Sequence, residues 1–183
     1  MRGGALTRLK TDLFLPPTRG LRELIASLHL RTQGVSTPEV VAVVVYRAGL
    51  VFRRSDVVTR ELRGGVDLAS LLSASDGGSK RETALENAAA LVAALSRAGA
   101  HHPDLNLKNI LLTGMNDVGE NASRAYILDI DRIRFHIPGD PMVLQANVNR
   151  LERSIRKWRD QKALAIDDIE IQALRARTID LAG

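Results

Sequence analysis

The sequence predicts an α+β fold, and two pairs of strand-like segments set among helical stretches predict it. Residues 38–62 are rich in β-branched side chains, and apolar segments flank a Gly/Asn-rich turn between 109 and 131. Helical periodicity surrounds both pairs. The order is therefore helix, hairpin, helices, hairpin, helices, which fits α+β better than the βαβ alternation of a parallel sheet.

The first predicted elements are a helix and a hairpin. Residues 17–34, PTRGLRELIASLHLRTQG, place their apolar side chains mostly on one face, and Gly34 is a suitable stop. The β-branched stretch 38–62 then predicts two strands joined by a short turn at Ala48 and Gly49.

Two more helices are predicted in the middle of the chain. Residues 67–73, DLASLLS, predict a short helix with Asp67 at its N-cap. Residues 82–98 form an Ala-rich apolar stripe that ends at Gly99, which predicts a long helix. Its small apolar side chains indicate a central, buried position.

The second hairpin and two helices complete the chain. Residues 109–112, NILL, and 125–131, AYILDID, predict two strands that carry polar residues at their outer ends. Residues 141–160 predict a basic helix, and 162–182 one more helix with weak caps.

Composition predicts one soluble globular domain without thiol chemistry. The 183 residues are 45% hydrophobic and include no cysteine, which excludes disulfides and thiolate metal sites. No signal-peptide core or stretch of about 20 apolar residues is apparent, so we expect a cytoplasmic or peripheral protein. The net charge of +5 favours anionic partners. An aromatic content of 3% argues against a base-stacking nucleic-acid surface.

The segment HHPDLNLKNILL, residues 101–112, combines hydrogen-bonding residues with an apolar strand. Antiparallel pairing would bring Asp129 beside Asn109, whose oxygens suit a hard cation such as Mg²⁺. Asp104 would lie nearby as a proton acceptor, and phosphoryl transfer needs mainly positioning and charge neutralisation. Coincidental polarity of a turn is the alternative.

These residues carry a resemblance. HHPDLNLKNILL followed by YILDID resembles the kinase catalytic loop H-x-D-x-x-x-x-N and the metal-binding Asp of a DFG-type motif. HPDLNLKNILL and LDIDRIR are closer still to the lipopolysaccharide kinase family, the Kdo kinase and heptose kinase group. Its members typically show H-x-D-L-N-x-x-N-I-L-L and I-D-F-D-R-x-R. The resemblance covers about residues 2–160.

The resemblance implies a role for each residue of the motif. Asp104 is the implied catalytic base, and Asn109 and Asp129 the implied Mg²⁺ ligands. His102 is the implied structural histidine, which bonds the backbone near Asp129. Asn106 stands where protein kinases have Lys and is implied to contact the transferred phosphate or the sugar.

The resemblance also implies the protein-kinase-like fold, mainly its helical C-terminal lobe. Residues 1–62 correspond to a remnant of the N-terminal lobe, and 63–183 to the catalytic lobe. Glu23 matches the helix-C Glu that pairs with a strand lysine. Glu61 and Leu62, in a hinge near 60–63, are implied to bind adenine through their backbone.

Some family features are expected upstream of the RGG at 2–4, namely the Gly-rich loop and the strand lysine. Lys10 follows the RGG and is in the wrong place for that lysine. Pro103 replaces a small residue, and Ile130 replaces Phe. These departures leave open a truncated or inactive pseudokinase that acts as a binding protein.

The implied function is ATP- and Mg²⁺-dependent phosphorylation of a sugar hydroxyl in the lipopolysaccharide inner core, on Kdo-lipid A. We expect a cytoplasmic protein, peripheral on the inner membrane, whose basic face suits an anionic lipid surface, with no nucleic acid partner. An aminoglycoside- or choline-kinase-like enzyme is the nearest rival, but such enzymes usually carry His-Gly-Asp. The basic run 150–162, RLERSIRKWRDQK, is either a solvated helix face, a lipopolysaccharide-facing patch or a nucleic acid contact.

Overall fold

A computed structural model describes residues 18–48, 52–74, 78–115, 123–162 and 164–183. Its elements, in chain order, are α1 Arg19–Thr32, β1 Val40–Ala48, β2 Phe52–Thr59, β3 Val66–Asp67, α2 Leu68–Ser73, α3 Ser79–Arg97, β4 Ala100–His101, β5 Ile110–Thr113, β6 Arg124–Ile127, β7 Arg134–Phe135, α4 Pro141–Lys162 and α5 Asp168–Ala182. This order confirms the predicted α+β class. No helix within the described ranges is long and apolar enough to cross a membrane.

Helix α1 packs against the first hairpin through a close approach at Gly20. A Cβ there would lie 2.9 Å from Cγ1 of Val43 in β1, so only glycine fits without a shift. The Thr18 side chain accepts a hydrogen bond from the Leu21 N–H and begins the helix, as an N-cap does. The predicted hairpin is confirmed, with Val43 opposite Val57. Its predicted turn at Ala48 and Gly49 falls partly outside the described residues.

The second hairpin forms a separate three-stranded sheet. Strand β5 lies in its centre, between β3 and β6, with Leu112 paired to both Val66 and Ala125. The short helix α2 follows β3, and the Asp67 side chain accepts a 2.9 Å hydrogen bond from the Ser70 N–H. This bond confirms the predicted N-cap.

The core surrounds α3, as its small apolar side chains predict. Ala88, Val92 and Leu95 are fully buried, and β5, α4 and α5 pack around the helix. Two predicted bounds are wrong. Helix α3 begins earlier, at Ser79, and β6 ends at Ile127 rather than at 131.

Helix α5 has a strong N-terminal cap, so the prediction of weak caps is wrong. The Asp167 carboxylate accepts from the Glu170 N–H at 2.8 Å, and the Glu170 carboxylate accepts from the Asp167 N–H at 3.1 Å. This reciprocal pair satisfies two N–H groups at the start of the helix. Arg81 of α3 binds the same Glu170 carboxylate at 2.7 Å and so fixes α5 against α3.

Candidate active site

A buried histidine joins the loop after β4 to the residues after β6. His102 is fully buried, and its Nε2 lies 3.1 Å from the Leu128 carbonyl oxygen, to which it donates. Burial is the main cause that lowers the pKa of His102, because the imidazolium would lose its hydration. The ring is therefore neutral at physiological pH, and it lies against the residue before Asp129.

Helix α4 anchors this loop through Asn147, which the sequence reasoning did not identify. Its Oδ1 accepts from the His102 N–H at 3.0 Å, and its Nδ2 donates to the Ala100 carbonyl at 2.9 Å. Asn147 is fully buried on the mainly apolar inner face of α4, between Val143 and Leu151. A polar residue at a buried position of an amphipathic helix was the available signal.

Asp104 occupies the turn after His102, with its carboxylate partly exposed. Its Oδ2 accepts a 2.7 Å hydrogen bond from Arg132 Nη1. Its backbone carbonyl accepts from Asn106 Nδ2 at 2.8 Å and from Asn109 Nδ2 at 3.1 Å. The two asparagines therefore fold the loop around Asp104, and the amide oxygen of Asn109 remains as the atom that can face a cation.

The hairpin brings Asn109 and Asp129 to the same end. Ile110 is paired with Ile127, and the Asn109 carbonyl accepts from the Leu128 N–H at 2.8 Å. Asn109 lies in a 3₁₀ turn, and Asp129 follows β6 with φ of 55°, in the left-handed region. Asp tolerates this region better than most residues. This conformation ends the strand before Asp129.

Helix α1 adds one arginine and one glutamate to this end of the hairpin. Arg19 lies 2.9 Å from Asp129 through Nη2 and 2.9 Å from Asp131 through Nε. Asp131 pairs with Arg19, whereas its neighbour Arg132 pairs with Asp104. Partial burial is the main cause that raises the pKa of Glu23, and Asp131 and Asp129 raise it further. Arg19, the largest charge effect on Glu23, acts in the opposite direction and lowers its pKa.

A family model described as "Lipopolysaccharide kinase (Kdo/WaaP) family" matches residues 1–174. The match includes the loop that carries Asp104, both hairpins and the described helices as far as the first half of α5. The chain belongs to this lipopolysaccharide kinase family. Membership makes it an enzyme of the kinase class and confirms the resemblance seen in the sequence.

Curated relatives of this family member carry the name 3-deoxy-D-manno-octulosonic acid kinase. The Vibrio vulnificus (strain YJ016) protein is 28% identical over 177 residues, which cover 94% of this chain and 70% of the relative. The Xylella fastidiosa (strain M12) protein is 29% identical over 185 residues, which cover 99% and 69%. A solved structure, "WaaP in complex with acyl carrier protein", is similar with a TM-score of 0.58 at 19% identity, covering 90% of this chain and 77% of that one. This likeness shows the kinase-like fold.

The donor set of this lipopolysaccharide kinase family member fits a hard cation bound with few protein ligands. Within the described residues, no group of three or more His, Asp or Glu side chains is arranged as a metal site. Mg²⁺ usually keeps several waters and takes one or two carboxylates from the protein. The Asp129 carboxylate and the Asn109 amide oxygen are donors of that kind, with Arg19 as a competitor for Asp129.

The predicted hinge residues lie on the connection between β2 and β3. The Leu62 carbonyl accepts from the Gly65 N–H at 3.3 Å, and Leu62 borders a cavity of about 360 Å³ that Tyr126 also lines. Glu61 is exposed and lies 3.5 Å from Arg63. No ion pair or hydrogen bond between the described residues joins Glu61 or Leu62 to the loop that carries Asp104. Lys10 lies outside the described residues.

Proposed function

We propose that this kinase transfers the γ-phosphoryl group of ATP to a sugar hydroxyl of the lipopolysaccharide inner core, on Kdo-lipid A. The observation that carries the proposal is the bond between His102 and the Leu128 carbonyl, which holds Asp104, Asn109 and Asp129 around one end of the hairpin. The names of the relatives support the sugar acceptor. Because that acceptor is a membrane lipid, the enzyme works peripherally at the cytoplasmic face of the inner membrane.

Asp104 acts as the base in the proposed transfer. Its carboxylate takes the proton of the attacking hydroxyl while the hydroxyl oxygen bonds to the γ-phosphorus. The bond from that phosphorus to the bridging oxygen breaks, and ADP leaves with the electron pair. The carboxylate must first part from Arg132, which lies 2.7 Å away, to receive the proton. Both partners of this pair are substantially exposed, so separation costs only about 0.2–1 kcal/mol.

Mg²⁺, held by Asn109 and Asp129, would neutralise charge on the transferred phosphoryl group. In the absence of substrate, the Asn106 side chain bonds, among the described residues, only to the backbone of its own loop. Its side chain donates to the Asp104 carbonyl and accepts from the Lys108 N–H at 2.9 Å. We retain contact with the phosphate or the sugar as its proposed second role.

The remaining assignments concern the nucleotide. Glu23 lies on α1, the helix whose Arg19 pairs with Asp129, and it stays proposed as the helix-C glutamate. Glu61 and Leu62 stay proposed as adenine contacts, in a hinge near 60–63 that divides a small N-terminal lobe, 1–62, from the catalytic lobe, 63–183.

A second candidate function is a kinase-like binding protein that does not transfer phosphate. The observation that favours it is the pairing of both key carboxylates, Asp104 with Arg132 and Asp129 with Arg19. In such a protein these arginines would stay in place, and neither carboxylate would be open to substrate or metal.

Calorimetric titration with ATP, with and without Mg²⁺, on the wild-type chain and Asp129→Ala separates the two candidates. The kinase proposal expects Mg²⁺-dependent binding that the substitution abolishes. Phosphotransfer to Kdo-lipid A should then fall by at least about 100-fold in Asp104→Asn, the loss expected for a general base. No Mg²⁺-dependent ATP binding by either protein would favour the binding protein. Transfer to an aminoglycoside or choline but not to Kdo-lipid A would identify a different small-molecule kinase.

A further inference from the structure

A groove lies between the proposed catalytic loop, residues 101–109, and the outer face of α4. It encloses about 540 Å³ and is lined by His101, Pro103, Ala146, Asn149, Arg150, Glu152, Arg153 and Arg156. Pro103 is also the residue before Asp104, the proposed base. The groove therefore borders the loop at the point where an acceptor hydroxyl must arrive.

The charge of the groove is positive. Three arginines face one acidic residue, Glu152. That carboxylate is already neutralised twice, by Arg156 Nη2 at 2.9 Å and by Arg175 Nη1 at 3.0 Å. Arg156 also lies 2.5 Å from Asp168, so it is itself satisfied. Positive charge that could bind a ligand must therefore come from the other two arginines of the groove.

These two arginines are Arg150 and Arg153. Arg150 donates Nε to the Pro103 carbonyl at 3.0 Å, and Arg153 donates Nε to the Asn149 carbonyl at 3.3 Å. In the part of the chain that the structure describes, neither guanidinium forms an ion pair with Asp or Glu. Their terminal nitrogens are therefore available to a ligand, and the fork of a guanidinium matches the two oxygens of a carboxylate or phosphate.

One further cation, Arg134, lies beside His101 at the end of the groove. Arg134 is its strand partner across β4 and β7, and the His136 ring lies 6.0 Å from the His101 ring, centre to centre. Burial is the main cause that lowers the pKa of His101, and His136 and Arg134 lower it further. This end of the groove thus offers an anion a positive field.

We propose that this groove binds an oxyanion of the sugar acceptor, a carboxylate or a phosphate, through Arg153 and Arg150. The contact would hold the acceptor so that a hydroxyl reaches Asp104. The inference rests on the proposed function and deepens it, because it assigns the residues that select an acidic sugar over a neutral one. On this proposal, the residues of the basic run 150–162 that line the groove bind the acceptor.

Steady-state kinetics of Arg153→Gln tests the assignment. Arg153 is exposed and bonds only within its own helix among the described contacts, so the variant should fold normally. The KM for the acceptor should rise by about tenfold or more, because hydrogen bonds to a charged group are lost. The KM for ATP and kcat should stay unchanged, since binding is lost equally before and during transfer. Lys157→Gln is the control, with the same charge change on the same helix but outside the groove.

Two ligand pairs identify the anion without ATP or turnover. Binding of free Kdo and its methyl ester, and of glucosamine 6-phosphate and glucosamine, is compared by NMR titration on the wild-type chain and Arg153→Gln. A preference for Kdo over its ester that Arg153→Gln removes would assign the groove to a carboxylate. A preference for the phosphorylated glucosamine that the variant removes would assign it to a phosphate. Arg150→Gln should weaken the same preference, and its fold is checked by circular dichroism.

The outcomes keep the inference separate from the proposed function. An active enzyme whose acceptor KM is the same in wild type, Arg153→Gln and Arg150→Gln would overturn the groove assignment alone. A raised KM for ATP in place of the acceptor would also overturn it, by making the groove a nucleotide site. If no acceptor is phosphorylated, the proposed function fails, and the NMR titrations still decide whether the groove binds an oxyanion.

Discussion

Arg19, the first residue of α1, forms a 2.9 Å ion pair with Asp129, the proposed metal ligand after β6. The same guanidinium contacts Asp131, so one cation spans both ends of the short turn after the hairpin. The pair joins the N-terminal part of the described chain to the end of the second sheet where Asn109 and Asp129 meet. A cation that binds Asp129 must compete with Arg19.

Replacing Arg19 with Gln should lower the Mg²⁺ concentration needed for ATP binding. The pair is exposed, with 51% of the Arg19 side chain and 42% of the Asp129 side chain accessible. Such pairs contribute about 0.2–1 kcal/mol, so half-saturating Mg²⁺ should fall by roughly 1.5- to 5-fold. Calorimetry of ATP binding across a Mg²⁺ series measures this. Arg31→Gln, at the other end of α1, is the control, and an unchanged Mg²⁺ requirement in Arg19→Gln would show that the two cations do not compete.

The positions of Asn109 and Asp129 could be predicted because they depend on a local hairpin. Two apolar segments around a turn pair antiparallel, and the residues just outside them meet. The left-handed conformation of Asp129 was missed, since LDID reads as a continuing strand. The cap of α5 does follow a local spacing, because Asp167 precedes Glu170 by three residues, as in a capping box.

The partners of the site could not be read from the sequence. Arg19 lies 110 residues from Asp129, and Asn147 lies 45 residues from His102. Neither pair follows from periodicity or turn chemistry, because both depend on how α1 and α4 pack in the folded chain. The sequence motif identifies groups that could react, whereas long-range packing determines what holds them.

The stability of the fold should fall in acid because of His102. Burial lowers its pKa from the ordinary 6.5, so the folded state favours the neutral ring more than the unfolded chain does. Stability is therefore full above the unfolded pKa and is lost as the pH falls through the folded one. In His102→Gln an amide can still donate to the Leu128 carbonyl, so the loss should shrink.

Urea unfolding between pH ~7.5 and ~5 measures the effect of His102 through the free energy of unfolding. Some pH dependence should remain in His102→Gln, because burial lowers the pKa of His101 as well. His29→Gln makes the same exchange on the exposed surface of α1 and is the control. An identical slope in wild type and His102→Gln would contradict the prediction.

Asn147→Leu should destabilise the protein by about 2–6 kcal/mol, although the side chains have similar volume. It leaves the buried His102 N–H and Ala100 carbonyl without partners, at about 1–3 kcal/mol each. Because both groups begin the catalytic loop, kcat should fall in the fraction that stays folded. Chemical unfolding and kinetics test the two effects. Gln145→Leu, exposed on the same helix, should change stability by less than about 0.5 kcal/mol, and an equal loss in both variants would argue against the anchoring role.

Gly99→Ala should destabilise the entrance to the catalytic loop far more than Gly34→Ala. Both glycines have positive φ, 68° and 76°, so each alanine has a backbone cost of about 1–2 kcal/mol. At Gly34 a new Cβ meets nothing within 4 Å, whereas at Gly99 it would clash with the His136 carbonyl oxygen. That contact lies where β4 pairs with β7, and forcing it apart should add roughly 1–3 kcal/mol. Thermal unfolding of both variants isolates the contact, because the backbone cost cancels in their difference, and equal melting temperatures would mean that β7 moves freely away from the loop.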